Sequence, residues 1–187
     1  MNTNLTPFSA LTPDLILTAL DGVGLHSDGR LLALNSYENR VYQVGIIDAS
    51  FIVTKFYRPE RWTTAAIAEE HSFVQELFNA EIPVVPALPF GDKQTLIQSD
   101  GFRFSVYPRQ GGRVPELEGR DKLEWMGRLI ARIHAVGALK PFQQRPTLDI
   151  AGFGDEPRAF LLAHDFIPAD LVAAYRDVCQ HSCHIFH

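Results

Sequence analysis

Between residues 31 and 57 the apolar positions come in short runs separated by turn-forming residues. Residues 31–34, 41–46 and 51–57 read as three strands, the last rich in β-branched and aromatic side chains. Ser27-Asp28-Gly29 precedes the first run, and Asp48-Ala49-Ser50 separates the last two. Strands joined this closely predict an antiparallel meander. The spacing then changes. At 100° per residue, Ala66, Ile67, Phe73, Val74, Leu77 and Phe78 fall on one arc, with Ser72, Gln75, Glu76 and Asn79 opposite. This predicts an amphipathic helix over 64–79, capped by Thr63 or Thr64 and ended at Ile82-Pro83.

Other elements are placed around these. Thr12-Pro13-Asp14 starts a short helix with Leu15, Ile16, Leu17 and Leu20 on its apolar side, ended by Gly22 and Gly24. Strands are expected at 94–98 and 102–107, and helices at 121–136, 157–163 and 168–177. Gly111-Gly112 marks a break. The fold class is therefore α+β, with a sheet-bearing N-terminal lobe over 1–110 and a helical, incomplete C-terminal lobe over 111–187.

Two positions break the pattern. Glu70 falls in the middle of the apolar arc, and Glu69 at its edge. A carboxylate facing a core is costly unless paired. The preceding strand offers the cation: alternation puts Phe51, Val53 and Lys55 on one face, and Ile52, Thr54 and Phe56 on the other. Taken singly, each residue has an ordinary explanation. A rim glutamate can bond to backbone or water, and a strand-end lysine can reach solvent. Taken together, a strand lysine and a helix glutamate, both leaning inward, form the ion pair that holds nucleotide phosphates in kinase-type sites. The turn ahead of that strand carries neither G-x-G-x-x-G nor a Walker A motif. It does hold Asn35, Ser36 and Asn39, turn formers whose polar groups can meet phosphate oxygens.

The runs Leu34-Asn35-Ser36-Tyr37-Glu38-Asn39-Arg40-Val41-Tyr42-Gln43, Lys55-Phe56-Tyr57-Arg58-Pro59-Glu60-Arg61-Trp62 and Glu69-Glu70-His71 resemble the bacterial stress response kinase A family. The resemblance covers about 12–174. It implies a protein-kinase-like fold of the aminoglycoside phosphotransferase and choline kinase type. It also implies ATP and Mg²⁺ as cofactors and a protein serine or threonine as phosphoryl acceptor. Carried over by motif, Ser36 matches an ATP-contacting serine, Lys55 the phosphate lysine, Glu70 its helix partner and Val53 the residue packed on adenine. Phe104-Ser105-Val106-Tyr107-Pro108, followed by Gly111-Gly112-Arg113, matches the hinge, whose backbone at Val106 and Pro108 would bond the adenine edge. His134, in Gly127-Arg128-Leu129-Ile130-Ala131-Arg132-Ile133-His134, is expected to be a packed structural histidine.

The resemblance also has a gap. The family next requires His-Gly-Asp, an Asn five residues after that Asp, and a metal-binding Asp on a later strand. No His-Gly-Asp occurs among these 187 residues, and neither Asp165 nor Asp155-Glu156 substitutes for it. The chain is expected to be truncated before the catalytic loop, inactive alone, and prone to self-association through apolar surface left exposed. A nucleotide-binding regulatory module, or a phosphotransferase acting on an aminoglycoside or choline-type alcohol, are the alternatives. A zinc site can be drawn from Cys179, Cys183 and His187, but without a second ligand pair the tail reads rather as a helix end or a shifted frame.

Composition narrows the classes. With 46% hydrophobic and 21% charged residues the chain can build a packed core. A net charge of −5 argues against phosphate-neutralising nucleic-acid binding. No run approaches the ~18 apolar residues of a membrane span, no basic and apolar leader precedes Leu11, and a cytoplasmic protein is expected.

Overall fold

A computed structural model describes residues 7–185, with side chains described through Ser182. The chain divides into two compact units, Met1–Gln144 and Arg145–His187.

The first unit is built on a five-stranded antiparallel sheet. Its strands are β1 (Ser27–Leu34), β2 (Arg40–Ile46), β3 (Ile52–Phe56), β4 (Ile97–Ser99) and β5 (Phe102–Pro108), in the order β1-β2-β3-β5-β4. The expected meander is therefore the first half of the sheet, and β5 joins it against β3. Ser27-Asp28-Gly29 does not precede β1 but lies within it, where the pairing with β2 shifts between Ser27 and Leu31. Gly29 takes φ 90° there, and the Asp28 carboxylate accepts from the backbone and guanidinium of Arg30. The strand expected at 94–98 is shorter and later. Phe90 and Gln94 close a tight turn with two backbone bonds of 2.9 Å, which leaves only Ile97–Ser99 to pair with β5.

Alternation gives the sheet two different faces. Helix α1 (Pro13–Asp21), capped by the Thr12 hydroxyl, buries Ile16, Ala19 and Leu20 in one core with Val44, Ile52, Phe56, Phe104 and Val106. Phe56 and Phe104 are paired across β3 and β5, and their rings stack at 5.1 Å. The opposite face carries Val53, Lys55, Ser105 and Tyr107, as the pairings Val53–Tyr107 and Lys55–Ser105 require. Helix α2 (Thr64–Asn79), capped by the Thr63 hydroxyl, lies over that second face. Its buried side chains are Ala66, Ile67, His71 and Leu77. Phe78, expected on the apolar arc, is exposed at the helix end.

Helix α3 (Arg120–Gly137) follows an exposed segment, 109–119. It carries an apolar stripe but buries no residue, and Leu123 and Ile130 stay 55% and 44% exposed. His134 is exposed rather than packed, like Leu123 and Ile130 on the same helix. Arg132 ties α3 to the end of α2 by donating to the carbonyls of Ala80 and Glu81.

The second unit holds a π-helical turn (Ala151–Asp155), α4 (Glu156–Ala163) and α5 (Val172–Ile185). The helix expected to begin at Pro168 begins at Val172, because Pro168 to Leu171 close a separate turn. His164 bonds the Phe160 carbonyl at 2.8 Å and stacks on the Phe160 ring, and Asp165 sits in the turn that follows. Cys179 is a free thiol on α5. The Cys183 side chain and His187, the other parts of the drawn zinc site, lie outside the described residues.

Candidate nucleotide site

The two inward-leaning charges meet. Lys55 Nζ donates to Glu70 Oε1 at 3.1 Å, from the fourth residue of β3 to the second turn of α2. The side chains are 23% and 31% exposed, so the pair is partly shielded yet open to a ligand. The Lys55 ammonium also lies 4.6 Å from the centre of the Tyr57 ring, two residues along the chain.

The turn between β1 and β2 stands at the end of the same strands. Ser36 Oγ donates to the Asn39 carbonyl at 2.9 Å, which closes the turn. Asn39 Oδ1 accepts from the Arg58 backbone at 3.2 Å, so this side chain tethers the turn to the loop after β3. Glu38 strengthens the tether by accepting from Trp62 Nε1 at 2.6 Å and from Arg61 at 3.3 Å. Burial works against the charge on Glu38, but these two donors outweigh it and hold its carboxyl below the ordinary value. Tyr37, at the tip, is fully exposed. The polar turn formers were legible in the sequence; their use in anchoring the turn was not.

Of the hinge residues, Pro108 lies at the end of β5 beside the exposed Gly111-Gly112 segment. Val106 lies two residues earlier on the same strand. Its side chain is fully buried in the α1 core, and its carbonyl accepts the Leu88 N–H at 2.7 Å. Val53 is half-buried on the Lys55 face, paired with Tyr107.

A polar cluster that the sequence did not reveal lies behind the ion pair. His71 Nε2 meets the Tyr57 hydroxyl at 2.7 Å, and Nδ1 meets Thr95 Oγ1 at 2.8 Å. Ser105 Oγ and Tyr107 OH approach Nε2 at 3.4 and 3.5 Å. Burial pushes both phenols up and the His71 imidazole down, and the nearby Lys55 also pushes it down, while Glu70 pulls the other way. The one available signal was the position of His71, four residues after Ile67 and so at the edge of the apolar arc. Glu69 has a separate use: its carboxylate accepts the backbone N–H groups of Gln143 and Gln144 at 2.6 and 2.8 Å.

The depressed His71 has a consequence for stability. The unfolded chain takes up its proton near the ordinary value of 6.5, whereas the folded one resists it to lower pH. The stability this contributes is complete above pH 6.5 and is lost as the pH falls from there toward the folded-state value. The unfolding midpoint should therefore drop on going from pH 7.5 to 5.5, and His71→Gln should show a visibly shallower drop. Equal slopes would contradict this placement.

The sequence pattern of the phosphotransferase enzyme family matches residues 30–178. The chain belongs to that family. Among curated relatives, this family member is 43% identical over 175 residues to stress response kinase A of Escherichia coli strain K12. It is 41% identical over 175 residues to serine/threonine protein kinase RdoA of Salmonella typhimurium strain LT2. Each alignment takes in 94% of this chain but 53% of the relative, so the chain spans about half the length of the curated proteins it matches. Solved phosphotransferase structures share the fold. An amicoumacin kinase in complex with AMP-PNP, Ca²⁺ and Ami gives a TM-score of 0.66 at 17% identity, over 92% of this chain and 54% of the other. A spectinomycin phosphotransferase in complex with ADP and spectinomycin gives 0.58 at 15%, over 91% and 54%. Among the described residues, no helix is long and apolar enough to cross a membrane, and no three His, Cys, Asp or Glu side chains gather as a metal-binding group.

Proposed function

We propose that this chain is the ATP-binding portion of a cytoplasmic protein serine/threonine kinase of the stress response kinase type. The observation that carries the proposal is the Lys55–Glu70 pair, partly shielded on the sheet face opposite α1. A lysine held by a helix glutamate offers a fixed positive charge to the α- and β-phosphates, and ATP would supply the phosphoryl group. Ser36 and Asn39 would shape the turn over the phosphates, and Ser36 would contact them. Val53 would pack on the adenine and Pro108 would present the hinge backbone. Val106, with its side chain in the core, would present its backbone to the adenine edge beside Pro108. The similarity to stress response kinase A and RdoA supports a protein hydroxyl as acceptor.

Mg²⁺ belongs to the reading of the longer protein. The residues here include no His-Gly-Asp and no described metal-binding cluster, so no catalytic step is assigned to this chain. A small-alcohol acceptor is the second reading, supported by structural relatives described as amicoumacin, aminopropanol and spectinomycin phosphotransferases. Self-association through the exposed stripe of α3 at Leu123 and Ile130 belongs to the same proposal.

The test is a thermal-shift titration with ATP. At about 100 times its Kd, ATP should stabilise the folded chain by about 2.7 kcal/mol. For a chain of this size that corresponds to a rise in midpoint of about 5–11 °C. No shift at millimolar ATP would remove the nucleotide site.

A further inference from the structure

Tyr57 touches the supports of both partners in the ion pair. Its ring lies against the Lys55 ammonium at 4.6 Å, and its hydroxyl meets His71 at 2.7 Å. His71 directly follows Glu70 on α2, so one helix carries the carboxylate and the imidazole about 100° apart. Both ring nitrogens of His71 are engaged, one by Tyr57 and one by Thr95. A neutral imidazole needs one acceptor and one donor, and each of these hydroxyls can serve as either. The cluster is thus satisfied without a charge.

The ion pair by itself is a weak anchor. Both side chains reach solvent, and such pairs fix little. The apolar contacts of Ala66, Ile67 and Leu77 are not directional and tolerate some rotation of the helix. Hydrogen bonds are directional, and a buried network loses much when one member turns away.

We propose that His71 is a positioning residue for the phosphate-binding lysine: pinned between Thr95 and Tyr57, its imidazole fixes the rotation of α2 at which Glu70 meets Lys55. Tyr57 carries the same setting to the ammonium. What Lys55 does with a nucleotide rests on the function proposed above; the coupling of His71 to Lys55 does not.

The experiment reads Lys55 without any nucleotide. The chain is treated with limiting acetic anhydride well below its unfolding midpoint, and acetylation of Lys55 is compared with that of the exposed Lys93 by mass spectrometry. An amine that is paired and shielded reacts slowly. His71→Ala and Thr95→Val should each raise the Lys55:Lys93 ratio by about fivefold, the scale set by losing a partly exposed ion pair. Both should approach Glu70→Gln. Leu77→Ala, which removes core packing from the same helix without touching the cluster, should lower the midpoint and leave the ratio near wild type. If His71→Ala does not fold, Thr95→Val and Tyr57→Phe carry the test, since each removes one partner of the imidazole. An unchanged ratio in the folded variants, or an equal rise in Leu77→Ala, overturns the proposal. AMP-PNP titration of the same variants separates the two readings. A wild-type chain that ignores AMP-PNP, while the acetylation pattern holds, would end the nucleotide reading and leave the positioning role standing.

Discussion

Replacing Lys55 by alanine should abolish the ATP-dependent thermal shift while barely moving the midpoint of the free chain. The two halves of this result have different origins. In the free chain Lys55 contributes a partly exposed ion pair, and such pairs contribute about 0–1 kcal/mol. With nucleotide present, the proposed function makes the same ammonium the cation that meets the phosphates. Losing it removes a charge-assisted contact worth about 1.5–3 kcal/mol, or more where the site is shielded. The predicted pattern is a midpoint within about 4 °C of wild type without ligand, and no rise at ATP concentrations that shift the wild type. Glu70→Gln should fall between the two, since the lysine survives but is no longer held. A Lys55→Ala chain that still responds to ATP like wild type would move the nucleotide elsewhere.

The second large effect lies one residue further along. Phe56→Ala should cost about 3–5 kcal/mol of stability. Phe56 is fully buried, stacks on Phe104, and meets Phe102 and Tyr42 edge to ring. It sits where β2, β3 and β5 come together beneath α1, so the cavity left behind has rigid walls on several sides. That loss is a large share of the roughly 5–15 kcal/mol typical of a folded domain, and the midpoint should fall by about 6–20 °C. Calorimetry or chemical denaturation reads it directly. A loss under 1 kcal/mol would mean that the α1 core is not packed as described.

The contrast between these neighbours shows what was legible in the sequence. Strand alternation put Lys55 and Phe56 on opposite faces, and helical arithmetic put Glu70 on the inner arc of α2. Each pattern is local, and the expectation that Lys55 pairs with Glu70 followed from combining them. The His71 cluster could not be read this way. Its partners Tyr57, Thr95, Ser105 and Tyr107 come from a strand end, a loop and another strand, 14 to 36 positions away. No periodicity links such positions; only the folded sheet does. The side-chain face of Val106 is a matter of alternation: counted from Phe104 it turns into the core, whereas the backbone role expected of the hinge does not depend on that face. On α3, Leu123, Met126, Ile130 and Ile133 are spaced as an apolar stripe. An apolar stripe has the same spacing whether or not anything covers it, so burial of His134 did not follow.

The division of the sheet into an α1 face and an α2 face has a consequence for how this chain can change over generations. Ile52, Thr54 and Phe56 answer to abundance: variation there alters how much folded protein a cell retains. Under the proposed function, Val53 and Lys55, between them, answer to ligand. Because the two sets interleave along five residues yet face opposite sides of the sheet, the chain can drift in one with little effect on the other. A family built on this strand could therefore exchange what it binds while keeping the scaffold that keeps it folded, or repack the scaffold while keeping what it binds.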